Sequence, residues 1–410
     1  MKRRVLGFVI GVCILGITGC MAEKQEKEKA LKESRQADLS IMHIDAENPE
    51  FQKFIRRAEK ELQMEIEVLS CPENADNRHA KISTILAAGE ASVDIFTVND
   101  EMVSEFKHKQ YLEPLNETVM SEEVFTAYPQ SYMEHIAMQD GKIYSVPYFM
   151  DIMVFWVNRS VIGTEEIRTE EDFRQLLKKD FGEECWGYGS AWDSAYVYNE
   201  LSEMIQLFGG SYYDWDNPQT KAALTFLHEM AESNRHSLAW TADQYEQMEQ
   251  KFLEGKYGSI FMYSGAMDTF QRAGAYGKEQ IQVVPLPQFT RQATNIAAWQ
   301  YVLNRSSKRK DNAVKFLQYA ASREGSIAYS ECMSRLPARI DIICEEELDI
   351  PGFEVLRDYV ENVELKERPL SANTMGDITA MGNLFQKYIT DEISQEDFCK
   401  KSQQITDSFF

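Results

Sequence analysis

Asn99 and Asp100 end the strand-like run Val93–Val98 (VDIFTV), and Asp151 stands just past the apolar stretch that holds Val146 and Phe149. Amides and carboxylates at strand ends can hydrogen-bond the hydroxyls of a small solute, while aromatic faces cover its apolar C–H surface. Two tryptophans could serve the second purpose: Trp192 in the loop-like stretch 189–193 (GSAWD) and Trp299 within 297–301 (AAWQY). Each also has a plain structural reading: Asn99 as the N-cap of a helix over Glu101–Phe106, Asp151 as a solvated charge, and both tryptophans as core. Bond-making signatures are lacking, since no G-x-S-x-G, Walker or G-x-G-x-x-G stretch occurs. His228-Glu229-Met230-Ala231 approaches a zincin motif, but Glu232 stands where the second His ligand is needed. The sequence therefore predicts no catalytic residue, no metal centre and no cofactor, although 66 Asp and Glu leave a carboxylate pair for glycoside hydrolysis open.

The elements that must position these residues are legible by period. Leu39–Ile44 reads as a strand. Asn48-Pro49 then supplies an N-cap and a proline at the first helical position, and Phe51, Phe54, Ile55, Ala58 and Leu62 follow at helical spacing. Met64, Ile66 and Val68 alternate with Glu65 and Glu67 as in a strand, Ile82, Ile85 and Leu86 form a second helical stripe, and Val93–Val98 closes the series. This β-α-β-α-β order predicts largely parallel strands with helices on the faces of the sheet. Thr169 and Asp172 spell a capping box, Asn217-Pro218 opens a helix carrying Ala223, Phe226, Leu227 and Met230, and Asp311 precedes the stripe Ala313, Phe316, Leu317 and Ala320. The 410 residues, 44% apolar, suffice for two cores, yet no flexible linker divides the chain after Asp38. Two lobes that exchange strands suit that pattern better than two beads on a string.

The N-terminus carries the most specific signal. Met1–Arg4 is basic, Val5–Gly19 is uncharged and short for a spanning helix, and Ile17-Thr18-Gly19-Cys20 resembles the bacterial lipobox, whose Cys receives a lipid after cleavage. Residues 1–19 are thus expected to be a lipoprotein signal peptide, Cys20 the lipid anchor, and 20–37 a flexible tether that alternates acid and base. Loss of Lys2, Arg3 and Arg4 takes the formal charge from −23 to about −26. That acidity argues against nucleic acid as a partner, which would need a Lys/Arg footprint, and favours a monomer kept apart by self-repulsion. Cys71, Cys185, Cys332, Cys344 and Cys399 are too scattered for a disulfide framework and allow one pair at most.

Three stretches together resemble the extracellular solute-binding proteins of family 1, the group that includes maltose-binding protein. Val93-Asp94-Ile95-Phe96 with Asn99-Asp100, followed by Tyr111-Leu112-Glu113-Pro114-Leu115, is similar to a strand ending at a ligand loop and a later G-hydrophobic-x-P-L turn, with Gln110 where Gly is usual. Asp140-Gly141-Lys142-Ile143-Tyr144-Ser145-Val146-Pro147, then Asp151 and Val157-Asn158-Arg159, resembles the signature G-K-hydrophobic-Y-x-hydrophobic-P with a ligand contact four residues on. The third stretch is Glu254–Gly265 followed by Val284-Pro285-Leu286-Pro287; Met267 stands where some relatives carry a sugar-stacking Trp, and Trp299 replaces small residues. Leu336-Pro337 and a terminal helix from Ser394 to Phe410 fit the usual ending.

The resemblance implies an α/β, two-lobed periplasmic-binding-protein-like fold (type II), each lobe a mixed sheet flanked by helices, with the ligand cleft between them. Its N-terminal lobe would comprise 38–149 plus 285–318 and its C-terminal lobe 150–284 plus 319–410, with crossings at Phe149–Asp151 and Val284–Leu286. It further implies a protein without enzymatic activity, lipid-anchored on the extracytoplasmic face of the cell membrane. Such a protein would deliver a carbohydrate to the permease subunits of an ABC importer. The expected ligand contacts are Asn99, Asp100, Asp151, Trp192, Met267 and Trp299. Alternatives that the residues leave open are a cationic solute such as a polyamine, a sensor kinase as partner, and a lipid-anchored glycoside hydrolase.

Overall fold

A computed structural model describes residues 37–72, 74–235 and 240–409. The expected signal peptide, Cys20 and all of the tether but Ala37 lie outside the described residues. The opening β-α-β-α-β series forms as the periodicity predicts. β1 (Leu39–His43) pairs in parallel with both β2 (Ile66–Ser70) and β3 (Ile95–Val98). Between β1 and β2 runs α1 (Pro49–Leu62), which buries Phe51, Phe54, Ile55 and Ala58; the Asn48 side chain accepts from the Glu50 N–H to cap it. α2 (Ala75–Ala87) returns to β3, and α3 (Asp100–His108) leaves it.

The two lobes share strands. After a hairpin of β4 (Met138–Gln139) and β5 (Lys142–Ile143), turned by Asp140 and Gly141 in left-handed conformation, the chain enters β6 (Ser145–Asn158). β6 is long enough to serve twice. Ser145–Ile152 pair antiparallel with β9 (Ala293–Leu303), interrupted by a bulge between Pro147 and Phe149, where the proline's missing N–H is tolerated. Its remaining residues pair instead with β7 (Ser259–Tyr263) and β8 (Ile281–Val284). β9 does the reverse: its C-terminal half lies between β6 and β3, and Ala293–Ile296 pair in parallel with β10 (Glu364–Glu367). The result is an eight-stranded sheet running β2-β1-β3-β9-β6-β7, with β10 on β9 and β8 on β6.

Each lobe has its own aromatic core. In the first, Phe54 meets Tyr319 and Tyr329, and Tyr148 stacks on Tyr301 at 4.2 Å. In the second, Phe173 and Phe226 pack with Phe289, and α4 (Glu170–Lys178) carries Phe173 behind the predicted Thr169/Asp172 capping box. α5 (Val197–Leu207), α6 (Pro218–Asn234) and α7 (Tyr245–Leu253) complete that side, with the Asn217 side chain capping α6.

Contacts on either side of the crossings are as follows. Residues 285–292 contact the second core: Gln288 bridges to Thr169, the Arg291 N–H donates to the Leu207 carbonyl, and Phe289 packs on Phe208. Pro285 and Pro287 cannot extend the ladder, so the chain folds over these phenylalanines and crosses only within β9. Residues 319–333, by contrast, pack on α1. Ser322 ends α9 (Lys310–Ala321) and caps α10 (Arg323–Met333), which turns back onto α1 and pairs Glu331 with Arg57 at 2.7 Å. The chain returns to the second lobe in time for α11 (Phe353–Asn362), whose Tyr359 hydroxyl donates to the Val284 carbonyl, and ends with α12 (Thr374–Ile389) and α13 (Gln395–Thr406).

Candidate functional site

Where β6 and β9 pass between the lobes, Phe149 faces Trp299 and Asp151 faces Ala297 as direct partners. Direct partners share a sheet face and alternate residues repeat it, so these four side chains form one patch, the floor of the cleft. Asp151 binds the far wall. Its Oδ1 accepts from the Gly265 N–H at 2.7 Å and from the Ser264 hydroxyl at 2.9 Å. Gly265 gives the carboxylate room, because a Cβ there would stand 3.0 Å from Asp151 Oδ2. Burial raises the Asp151 carboxyl to about 6 against the pull of those two donors and of Arg335. Glu249 on α7 is raised to about 7, by burial first and then by Glu246 and Asp151, with Arg272 opposing.

Arginines stand over both rings of the floor. The Arg335 guanidinium carbon lies 5.3 Å from the Phe149 centroid, and that of Arg78, on α2, lies 5.2 Å from the Trp299 ring. Arg335 also reaches both lobes: Nη1 donates to Asp45 at 2.9 Å, while Nη2 and Nε donate to Asp268 on α8 (Met267–Arg272) at 3.0 and 3.2 Å.

A second arginine closes the other side. Arg368 is buried and donates to Asp100 at 3.1 Å and Glu101 at 2.6 Å in the first lobe, and to Asn199 of α5 at 3.2 Å in the second. Tyr263 lies beneath it at 5.9 Å and donates its hydroxyl to Asn199; Tyr245 packs edge-on between Tyr263 and Tyr196. Glu101 Oε1 is taken by Arg368, whereas Oε2 is buried with no hydrogen-bond partner among the described residues.

The predicted contacts therefore divide. Asp151 and Trp299 are on the floor, whereas Asn99 is the N-cap of α3, its side chain accepting from the Met102 N–H at 3.3 Å. Asp100 is fully buried and engaged: besides Arg368, it accepts from Tyr132, from the Ala298 N–H and from Gln300. Burial raises its carboxyl, and Arg368 opposes the shift. Met267 is 5% exposed and packs against Gly352 beside the crevice formed by Phe149, Gly265 and Arg335. Trp192 is not brought to the floor; it is fully buried in the second lobe, its indole N–H donating to Asn234 at 2.9 Å and its ring meeting Trp240 edge-on. Sequence reasoning missed Arg78, Glu101, Arg335, Arg368 and the three tyrosines. Arg335 had a signal in its neighbours Leu336-Pro337, and Glu101 in its place beside Asp100; Arg368 had none. Among the described residues no group of three or more His, Cys, Asp or Glu is arranged to hold a metal ion, and the five described cysteines are free.

A cleft between two lobes that share strands defines a class, and comparison with known proteins agrees. The chain matches the family described as bacterial extracellular solute-binding protein over residues 53–347. It belongs to that family. No curated protein sequence matches it significantly. Among solved structures it is similar to the maltose-bound MalE3 of T. maritima, with 18% identity over 91% of this chain and 99% of that one and a TM-score of 0.70. A Thermotoga lettingae ABC transporter solute-binding protein with bound α-D-tagatose shares 18% identity over 90% and 98%, with a TM-score of 0.75. An ABC substrate-binding protein of Listeria monocytogenes, in complex with cycloalternan, shares 20% over 90% and 98%, with a TM-score of 0.71. These likenesses establish the two-lobed type II fold.

Proposed function

We propose that this chain captures a carbohydrate in the cleft between its lobes and passes it to the permease of an ABC importer, without chemistry of its own. The observation that carries the reading is Glu101. A buried acceptor without a donor costs about 1–3 kcal/mol, and a solute hydroxyl at Oε2 relieves that cost. Around it are the other groups that hydroxylated rings require: the Asp151 carboxylate, guanidinium donors, and the faces of Tyr196, Tyr245 and Tyr263. The bound sugars of the similar structures support this class of solute. Cys20 would carry the lipid that holds the protein at the extracytoplasmic membrane face, on the lipobox-like sequence that precedes it.

A thermal-shift screen of the chain from Ala37 onward against maltose, D-tagatose, cycloalternan and spermidine tests the reading. A solute at one hundred times its Kd adds about 2.7 kcal/mol to the folded state. The expected outcome is that a sugar raises the Tm of the parent but not of Glu101→Ala or Asp151→Ala, and is recovered intact. Stabilisation by spermidine alone would replace sugar with a cationic solute. A sugar recovered cleaved would make the protein a hydrolase.

A further inference from the structure

Three buried polar atoms around Arg368 have no hydrogen-bond partner among the described residues: Glu101 Oε2, the Tyr245 hydroxyl and Arg368 Nε. Shared contacts hold them together. Arg368 Nη1 donates to the other Glu101 oxygen at 2.6 Å, its guanidinium stands 5.9 Å over the Tyr263 ring, and Tyr245 meets Tyr263 at right angles with centroids 6.5 Å apart. Burial raises the Tyr245 hydroxyl, Tyr263 adds to the shift and Arg368 opposes it, and the charge of Glu101 reaches it as well. Glu101 belongs to α3 of the first lobe and Tyr245 to α7 of the second, so the group spans the cleft. Buried polar groups are nearly always paired, and each one left alone carries a desolvation cost. The neighbouring Tyr263 follows that rule, since its hydroxyl serves Asn199 at 3.1 Å.

The three atoms differ in what they ask of a ligand. The Glu101 carboxylate only accepts, the Arg368 Nε–H only donates, and a phenol does either. A solute hydroxyl can donate to Glu101 while accepting from Arg368, and a hydroxyl on the next carbon can pair with Tyr245. A polyamine ammonium, with donors alone, leaves Nε unpaired and faces a guanidinium. A carboxylate, with acceptors alone, leaves Glu101 unpaired and is repelled by it.

We infer that Tyr245 is a specificity-determining ligand contact: its hydroxyl and Glu101 Oε2 take adjacent hydroxyls of one solute from opposite lobes, with Arg368 Nε as the donor between them. The inference rests on the carbohydrate reading above and narrows it to a neutral solute that carries a vicinal diol.

Tyr245→Phe tests it, because the change removes the hydroxyl and keeps the ring. Parent and variant are titrated calorimetrically with maltose, D-tagatose, cycloalternan and spermidine, and the Tm of each is measured without solute, with Tyr263→Phe melted beside them. Expected is that, for the sugar the parent binds, Tyr245→Phe weakens binding about tenfold or more. Its solute-free Tm should equal or exceed that of the parent, because a buried hydroxyl without a partner is lost, whereas Tyr263→Phe, which breaks the bond to Asn199, should melt lower. An unchanged affinity overturns the inference and leaves the carbohydrate reading standing. A solute-free Tm that falls as far as that of Tyr263→Phe also overturns it, since the hydroxyl would then serve the fold. If the parent binds none of the three sugars, or spermidine alone, the carbohydrate reading falls and takes the inference with it.

Discussion

Arg368 and Arg335 both join the lobes, and they differ in how far water reaches the pair. The Arg368 side chain is 6% exposed and its partner Asp100 is fully buried, whereas Arg335 is 17% and its partner Asp268 32% exposed. Arg368 neutralises two first-turn carboxylates of α3, Asp100 fully buried and Glu101 15% exposed. Arg335 joins one carboxylate of similar burial, Asp45 at 12%, to the more open Asp268, over the Phe149 ring. The difference teaches which tie survives when the lobes part: Arg368 marks the fixed side of the cleft, and Arg335 the side that can let go.

The strongest way to break this contrast is Arg368→Met. Leaving Asp100 and Glu101 buried without their cation should cost about 3–5 kcal/mol of unfolding free energy, read by urea denaturation; a loss below about 1 kcal/mol would make the two ties equivalent. Asp268→Asn should act differently, costing under about 1 kcal/mol because the pair is partly solvated, but enlarging the solute-free protein in small-angle scattering. An unchanged radius of gyration would deny Arg335 any part in holding the lobes together.

The smallest effect is one of pH. The folded Asp151 carboxyl titrates near 6 and an unfolded one near 3.9, so the native state binds its proton more tightly. Stability contributed by this group is therefore gained as pH falls from about 6 to about 4 and is missing above 6. The Tm of the parent relative to Asp151→Asn should rise over that interval, and Arg335→Met should move the midpoint upward, because the Arg335 charge holds it down. A flat difference would mean that Asp151 is solvated in the folded state.

How much of this was readable follows from distance along the chain. The β-α-β-α-β opening and the caps at Asn48, Thr169 and Asn217 depend on neighbours a few residues away, and they form as the pattern predicts. Asn99 likewise satisfies its local role as a cap. The floor was half legible, because Asp151 and Trp299 belong to stretches with a pattern, but the arginines above it do not. Arg335 meets Asp45 across 290 residues and Arg368 meets Asp100 across 268, and periodicity carries no information over such separations. The segment after Val284 was hard to read for a related reason: Val284-Pro285-Leu286-Pro287 ends a strand visibly, but only the phenylalanines gathered from α4 and α6 show where Phe289 packs.

β9 has one more consequence, which concerns time rather than space. It lies between β3 and β6, so the first lobe lacks its middle strand until residue 303 has been made, and the second lobe waits longer for α11–α13. The first half cannot finish folding until most of the second has been made, and the second cannot finish until the last helices are. Contacts that close so late slow folding, and a chain that stays slack for most of its synthesis is one that can still be threaded through a narrow pore.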